Sequence, residues 1–146
     1  MEDKKEKQIN IKLQSVLLNE FNTENDIDNK DLNPANYNFD FTINFVITKA
    51  ESKIETTLTI IICSDKTQSR KIGKIVTTGI YMLKELDELL EEKKGIPNDI
   101  LTIFIGSLVS TTRGMLLIKA QGTVLEGAII PLINPTTFFK LSTERK

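Results

Sequence analysis

The sequence predicts an α+β fold: a four-stranded antiparallel sheet comes first, followed by a short helix, a long helix and a short C-terminal helix. Two observations point there. Over the first half of the chain apolar residues alternate with polar ones, the period of a half-buried strand, and the strand-like segments are joined by short connections that favour antiparallel neighbours. After about residue 80 the apolar spacing changes to three and four, the period of a helix with one buried face.

Taken in order, residues 1–8 form a charged leader and residues 9–146 a single domain. Ile9, Ile11 and Leu13 alternate with Asn10, Lys12 and Gln14, so the first strand is expected to run to about Phe21. Asn22 to Asn36 is almost entirely Asn, Asp, Glu, Thr and Lys and holds the Asn33-Pro34 turn signal, which reads as a loop. Tyr37, Phe39, Phe41, Ile43, Phe45 and Ile47 then alternate with polar residues. A helix would scatter these side chains around its circumference, whereas a pleated, half-buried strand collects them on one face. Ala50 to Lys53 is a short connection, and Ile54 to Cys63 a third strand apolar on both faces. Ser64 to Ser69 makes a turn, and Lys71 to Thr78 a fourth strand interrupted by Gly73.

Ile80, Leu83, Leu86, Leu89 and Leu90 are spaced by three and four, predicting an amphipathic helix that ends at Lys93-Lys94-Gly95 with cations in its last turn. Pro97 and Asp99 suit the first turn of a second helix, expected to reach about Ala120. It is apolar around most of its circumference, yet Thr102, Gly106 and Ser110 place small residues four apart, where another backbone can approach closely. Gly122 to Pro135 reads as an extended connection and Thr136 to Ser142 as a short terminal helix.

A chain of 146 residues has the size of one ordinary domain. Nineteen Lys and Arg against twenty acidic residues give a formal charge of -1, with no basic stripe to hold nucleic acid. Uninterrupted apolar runs fall short of the roughly 18 residues of a membrane span, and the leader lacks the apolar segment of a secretory signal. The single cysteine, Cys63, allows no internal disulfide. The expected location is cytoplasmic.

The residue types offer little chemistry. The chain has no histidine, which removes the commonest general base and most transition-metal sites. Cys63 sits in a strand pattern and reads as buried structure before nucleophile. The glycines form neither a phosphate loop nor a dinucleotide fingerprint. Asp26 and Asp28 between Asn25 and Asn29 lack the Gly and terminal Glu of a calcium loop. The mixed charges of Lys84 to Lys94 suit a solvated helix face, with partner docking as the alternative. No catalytic, metal or cofactor residue is assigned, and the expectation is a protein that is not an enzyme and acts through apolar surface and assembly. The aromatic row of Tyr37 to Ile47 is ordinary sheet core or a groove for extended peptide.

The C-terminal part resembles the SecB family of export chaperones. The likeness rests on a long helix ending in Gly122-Thr123, a seven-residue lead into Pro131, the run Pro131-Leu132-Ile133-Asn134 and the pair Phe138-Phe139, behind a four-strand prelude. The resemblance covers roughly residues 9 to 141. It implies a subunit assembled as a dimer of dimers, a homotetramer, through its long helices, and ATP-independent holding of unfolded preproteins on apolar surface. It places client-groove candidates at Phe39, Phe41, Phe45, Tyr81, Ile130, Leu132, Phe138 and Phe139. Oligomer-interface candidates are Thr102, Gly106, Leu108 and Ser110. The helix should then govern assembly, and the segment from Gly122 to Phe139 client binding.

Family members in export hand clients to the SecA motor through acidic residues on the sheet. Matching positions here are Glu20, Glu24 and the apolar Ile72, but Lys74 stands where an acid is expected. The chain also adds about two helical turns around Thr111-Thr112-Arg113-Gly114, and ends in Glu144-Arg145-Lys146 where the family often has an acidic tail. A specialised relative protecting the antitoxin of a toxin–antitoxin pair fits these departures. The competing classes are a non-chaperone oligomeric adaptor, whose apolar faces its own subunits satisfy, and an enzyme working through Asp, Glu, Lys or Tyr alone.

Overall fold

The computed structural model describes residues 10–24, 32–64, 70–93 and 95–136. Four strands, β1 (Ile11–Thr23), β2 (Asn38–Thr48), β3 (Lys53–Cys63) and β4 (Lys71–Leu83), precede helices α1 (Leu86–Lys93) and α2 (Asn98–Lys119). The strands form one sheet in the order β1-β4-β3-β2, with every neighbouring pair antiparallel. The Asp26 and Asp28 loop lies outside the described residues, as do Phe138, Phe139 and all of the expected terminal helix beyond Thr136.

Register puts one apolar set on the inner face, the face that α2 covers. Ile54, Leu58, Ile60 and Ile62 of β3 are fully buried and stand opposite Ile47, Ile43, Phe41 and Phe39 of β2. Burying each such aliphatic side chain stabilises the fold by about 1.5–3 kcal/mol. In β1 the simple alternation stops at Leu13. Irregularities between Leu13 and Ser15 and between Leu18 and Glu20 each shift the register, so that Val16, Leu18 and Phe21 still pack on the core.

One expected element changes type. Ile80 to Leu83, assigned to the first helix by spacing, is the end of β4, and α1 begins only at Leu86. Ile75, Thr77, Gly79, Tyr81 and Leu83 are all buried and keep a period of two through it. A glycine and a threonine in that row hide the pattern from a reading based on apolar residues alone. Gly79 is there for space: a Cβ on it would lie 2.9 Å from the Tyr81 ring. Gly73 plays the same part for Leu125, whose Cδ1 would stand 2.6 Å from an added Cβ.

The core divides along the helices. Leu58, Ile60, Ile62 and Ile75 of the sheet meet Ile105, Leu108, Val109 and Leu116 of α2, with Leu125, Ala128 and Ile130 closing one end. A second cluster joins Ile54, Tyr81 and Leu83 to Leu86 and Leu89 of α1 and Ile100 and Phe104 of α2. Two hydroxyl bonds stitch α2 to the strand beneath it: Thr77 to Thr112 at 2.7 Å, and Tyr81 to Ser107 at 2.6 Å. The helix Asn98–Lys119 is long and apolar enough to cross a membrane by length and composition. Its sheet-facing side nevertheless packs as the core of a folded domain.

Candidate functional site

Between Asp99 and Arg113 α2 carries no charge, and its two sides differ. Ile100, Phe104, Ile105, Leu108, Val109, Thr112 and Leu116 are buried. Ile103, Gly106, Ser110, Gly114, Leu117 and Ile118 occupy the opposite side, within about a third of the circumference at 100° per residue. There Ile103, Leu117 and Ile118 remain 53%, 46% and 71% exposed. The small residues sit between these apolar ends, and a Cβ built on Gly106 or Gly114 meets nothing within 4 Å. The outer face is therefore a shallow apolar trough with an open middle.

The segment after α2 folds back beside this trough. Tyr37 donates its hydroxyl to the Val124 carbonyl at 2.7 Å, and Leu125, Ala128 and Ile130 are buried. Burial raises the Tyr37 pKa above its ordinary value, which keeps the phenol protonated and donating. Arg113 clasps the same segment, with Nε donating to the Ile130 carbonyl at 2.7 Å and Nη2 to the Pro131 carbonyl at 2.8 Å. Leu132, 92% exposed, emerges just beyond this clasp. A cavity of about 100 Å³ separates Leu132, Ile133 and Pro135 from Gly106, Ser110 and Arg113.

The client-groove candidates do not converge in one opening. Phe39, Phe41 and Phe45 share the inner face of β2 and are half-buried, because α2 lies over β4 and β3 and leaves the β2 row at its flank. Tyr81 is core: its ring stacks on Phe104 at 4.2 Å between centroids, and its hydroxyl donates to the Phe104 carbonyl at 3.0 Å. Burial raises its pKa, and the Ser107 hydrogen bond opposes the rise. Ile130 is likewise buried, so Leu132 is the exposed member of the set in the folded-back segment.

Of the interface candidates, Gly106 and Ser110 lie on the outer face, and Thr102 beside them donates to the Asn98 carbonyl. Leu108, two residues from each of the central pair, turns to the sheet and is 1% exposed. Gly114, Arg113 and the apolar ends of the trough escaped the sequence reading. The spacing of four from Ser110 to Gly114 was a signal for the first. Nothing local marked the Arg113 clasp, which spans 17 residues to Ile130.

Glu20, Glu24 and Ile72 come together where β1 ends and β4 begins, with the Glu24 N–H donating to the Ile72 carbonyl. Ile72 is fully buried, however, and Lys74 Nζ lies 3.2 Å from Glu20 Oε2. Among the described residues no group of three or more His, Cys, Asp or Glu gathers as a metal site.

No protein-family model matches the sequence, and no curated protein matches it. Solved structures do. A SecB-like chaperone from Mycobacterium tuberculosis, determined in complex with a ChAD peptide from the HigA1 antitoxin, superposes over 84% of this chain and 87% of its own, with a TM-score of 0.56 and 9% identity. A protein of unknown function from Streptococcus agalactiae covers 86% of this chain and 99% of its own at a TM-score of 0.49 and 8% identity. The fold is thus that of a SecB-like chaperone, reached by a sequence with almost no residues in common.

Proposed function

We propose that this fold serves as the subunit of an ATP-independent chaperone, a holdase that binds non-native polypeptides without bond-breaking chemistry. The observation that carries the reading is the apolar surface left open beside α2, at Leu132 and along Phe39, Phe41 and Phe45 of β2, on a fold shared with a SecB-like chaperone. Apolar area buried against an unfolded segment is worth about 25 cal/mol per Å² before ordering costs. A few hundred Å² therefore supplies reversible affinity of the size a holdase needs. The open row of Gly106, Ser110 and Gly114 supports assembly of subunits through α2, up to a homotetramer, and the cytoplasm is the setting we propose. The test is suppression of aggregation of a slowly refolding client, without nucleotide and at near-stoichiometric ratio. Absence of suppression removes the reading.

Of the two partner settings, protection of an antitoxin is favoured over export. The M. tuberculosis chaperone was crystallised with an antitoxin peptide. In this chain the corner matched to SecA docking has its apolar residue buried and Glu20 paired with Lys74. Titration with SecA should give no saturable complex. Saturable binding lost on Glu20→Lys would restore the export reading.

A further inference from the structure

A second cavity shares no lining residue with the α2 trough. It is an open space of about 690 Å³ at the end of the sheet, where the start of β1, the β2–β3 turn and the end of β4 meet. Ile11, Met82 and Ala50 are among its apolar lining residues, with Met82 on the Lys12 face of the sheet and Ile11 on the other with Leu83; Lys12, Lys84 and Glu51 are its charged ones. The walls are fixed by backbone: the Leu83 N–H donates to the Ser52 carbonyl at 2.9 Å, and the Asn10 N–H to Glu85 Oε2 at 3.2 Å.

The charges do not balance within the cavity. Glu51 is held by Lys53 at 3.1 Å, and the Glu85 carboxylate by Asn10. Lys12 and Lys84 have no acidic partner among the described residues. Two ammonium groups that make no ion pair among the described residues, beside apolar lining in a space of the size that holds small ligands, point to one kind of occupant. It has an apolar body and an anionic head.

We propose that this cavity binds a small carboxylate amphiphile, a medium-chain fatty acid in chemical class. Its chain lies against Met82 and Ala50, and its carboxylate between the Lys12 and Lys84 ammonium groups. The proposal does not depend on the chaperone reading, because no residue of this cavity belongs to the α2 trough or the folded-back segment.

The experiment is calorimetric titration of the full chain with dodecanoate below its micellar concentration, with dodecyltrimethylammonium as the cationic control. One saturable site per chain is expected, and dodecanoate should bind more tightly than the cation. Lys12→Glu combined with Lys84→Glu should weaken dodecanoate about tenfold and reverse that order, since both contacts are exposed and individually modest. Ala50→Trp, at an exposed turn position, fills the cavity while leaving both lysines, and should abolish binding. Thermal midpoints of both variants establish that each remains folded. No saturable binding to the native chain, or equal affinity in the native chain and both variants, overturns the proposal.

Discussion

Gly106 and Gly114 test whether α2 is an assembly surface. In an exposed helix interior glycine costs about 1 kcal/mol relative to alanine. A Cβ added at either position meets nothing within 4 Å of the isolated subunit. If the subunit works alone, Gly106→Ala with Gly114→Ala should therefore stabilise it by about 2 kcal/mol, which at this chain length raises the melting midpoint by about 6 °C. If α2 packs on α2 of another copy, the outcome changes sign. Two glycines eight residues apart lie about 12 Å apart along the axis, so both fall within one helix crossing. Methyl groups there, and still more the side chain of Gly106→Leu, force the axes apart. The expected result is a lower native mass for Gly106→Leu by size-resolved mass measurement, while secondary structure is retained. A native protein that is already monomeric, or an unchanged oligomer in Gly106→Leu, refutes the reasoning.

Three further outcomes concern the attachment of α2 and its cover. Thr112→Val leaves the buried Thr77 hydroxyl without its 2.7 Å partner and should cost about 1–3 kcal/mol in urea unfolding; adding Thr77→Val should recover much of the loss. Tyr81 is held protonated by burial, and because its folded pKa is raised its contribution is complete below about pH 10, where a free tyrosine ionises, and is lost as pH climbs through the folded value. Tyr81→Phe should therefore flatten the alkaline fall of stability that begins near pH 10, while costing about 1 kcal/mol at neutral pH through its lost hydrogen bonds. Arg113→Met removes both bonds to the Ile130 and Pro131 carbonyls, and limited proteolysis between Ile129 and Pro135 should accelerate severalfold with little change in global unfolding.

The sheet was legible because its strands obey a local rule. Phe39, Phe41, Ile43 and Phe45 announce their face by alternation alone, and α2 announces its length by its uncharged run and flanking Pro97. Legibility failed where small residues interrupted a strand's pattern or contacts between distant residues replaced it. Ile80 to Leu83 looked helical because Thr77 and Gly79 stand where large apolar residues would have shown the period of two. The Tyr81 ring needs that glycine, two residues back on the same face of β4. Tyr81 was placed in a groove because its aromatic character was visible, but its stacking on Phe104, 23 residues away, was not. Ile72, matched through the family resemblance, and Leu108, taken from the helix, both face the core, because which face of a strand or helix looks outward is decided by packing.

Packing also joins what the sequence kept apart. Assembly was expected from α2 and client binding from the segment after Gly122, as separable functions. The cavity of about 100 Å³ instead sets Leu132, Ile133 and Pro135 directly across from Gly106 and Ser110. A subunit docking on the trough must meet this segment at its rim, and a client held by Leu132 must lie beside the trough. Side chains that share one cavity give non-additive effects, commonly 0.5–3 kcal/mol, whereas sites beyond about 10 Å add. Leu132→Asp is a mild change for the fold, because the residue is 92% exposed. It should lower client affinity, and in combination with Gly106→Leu the loss should differ from the sum of the two single losses. Strict additivity in that cycle, measured by client titration at constant subunit concentration, would separate the two functions again and leave the shared cavity without consequence.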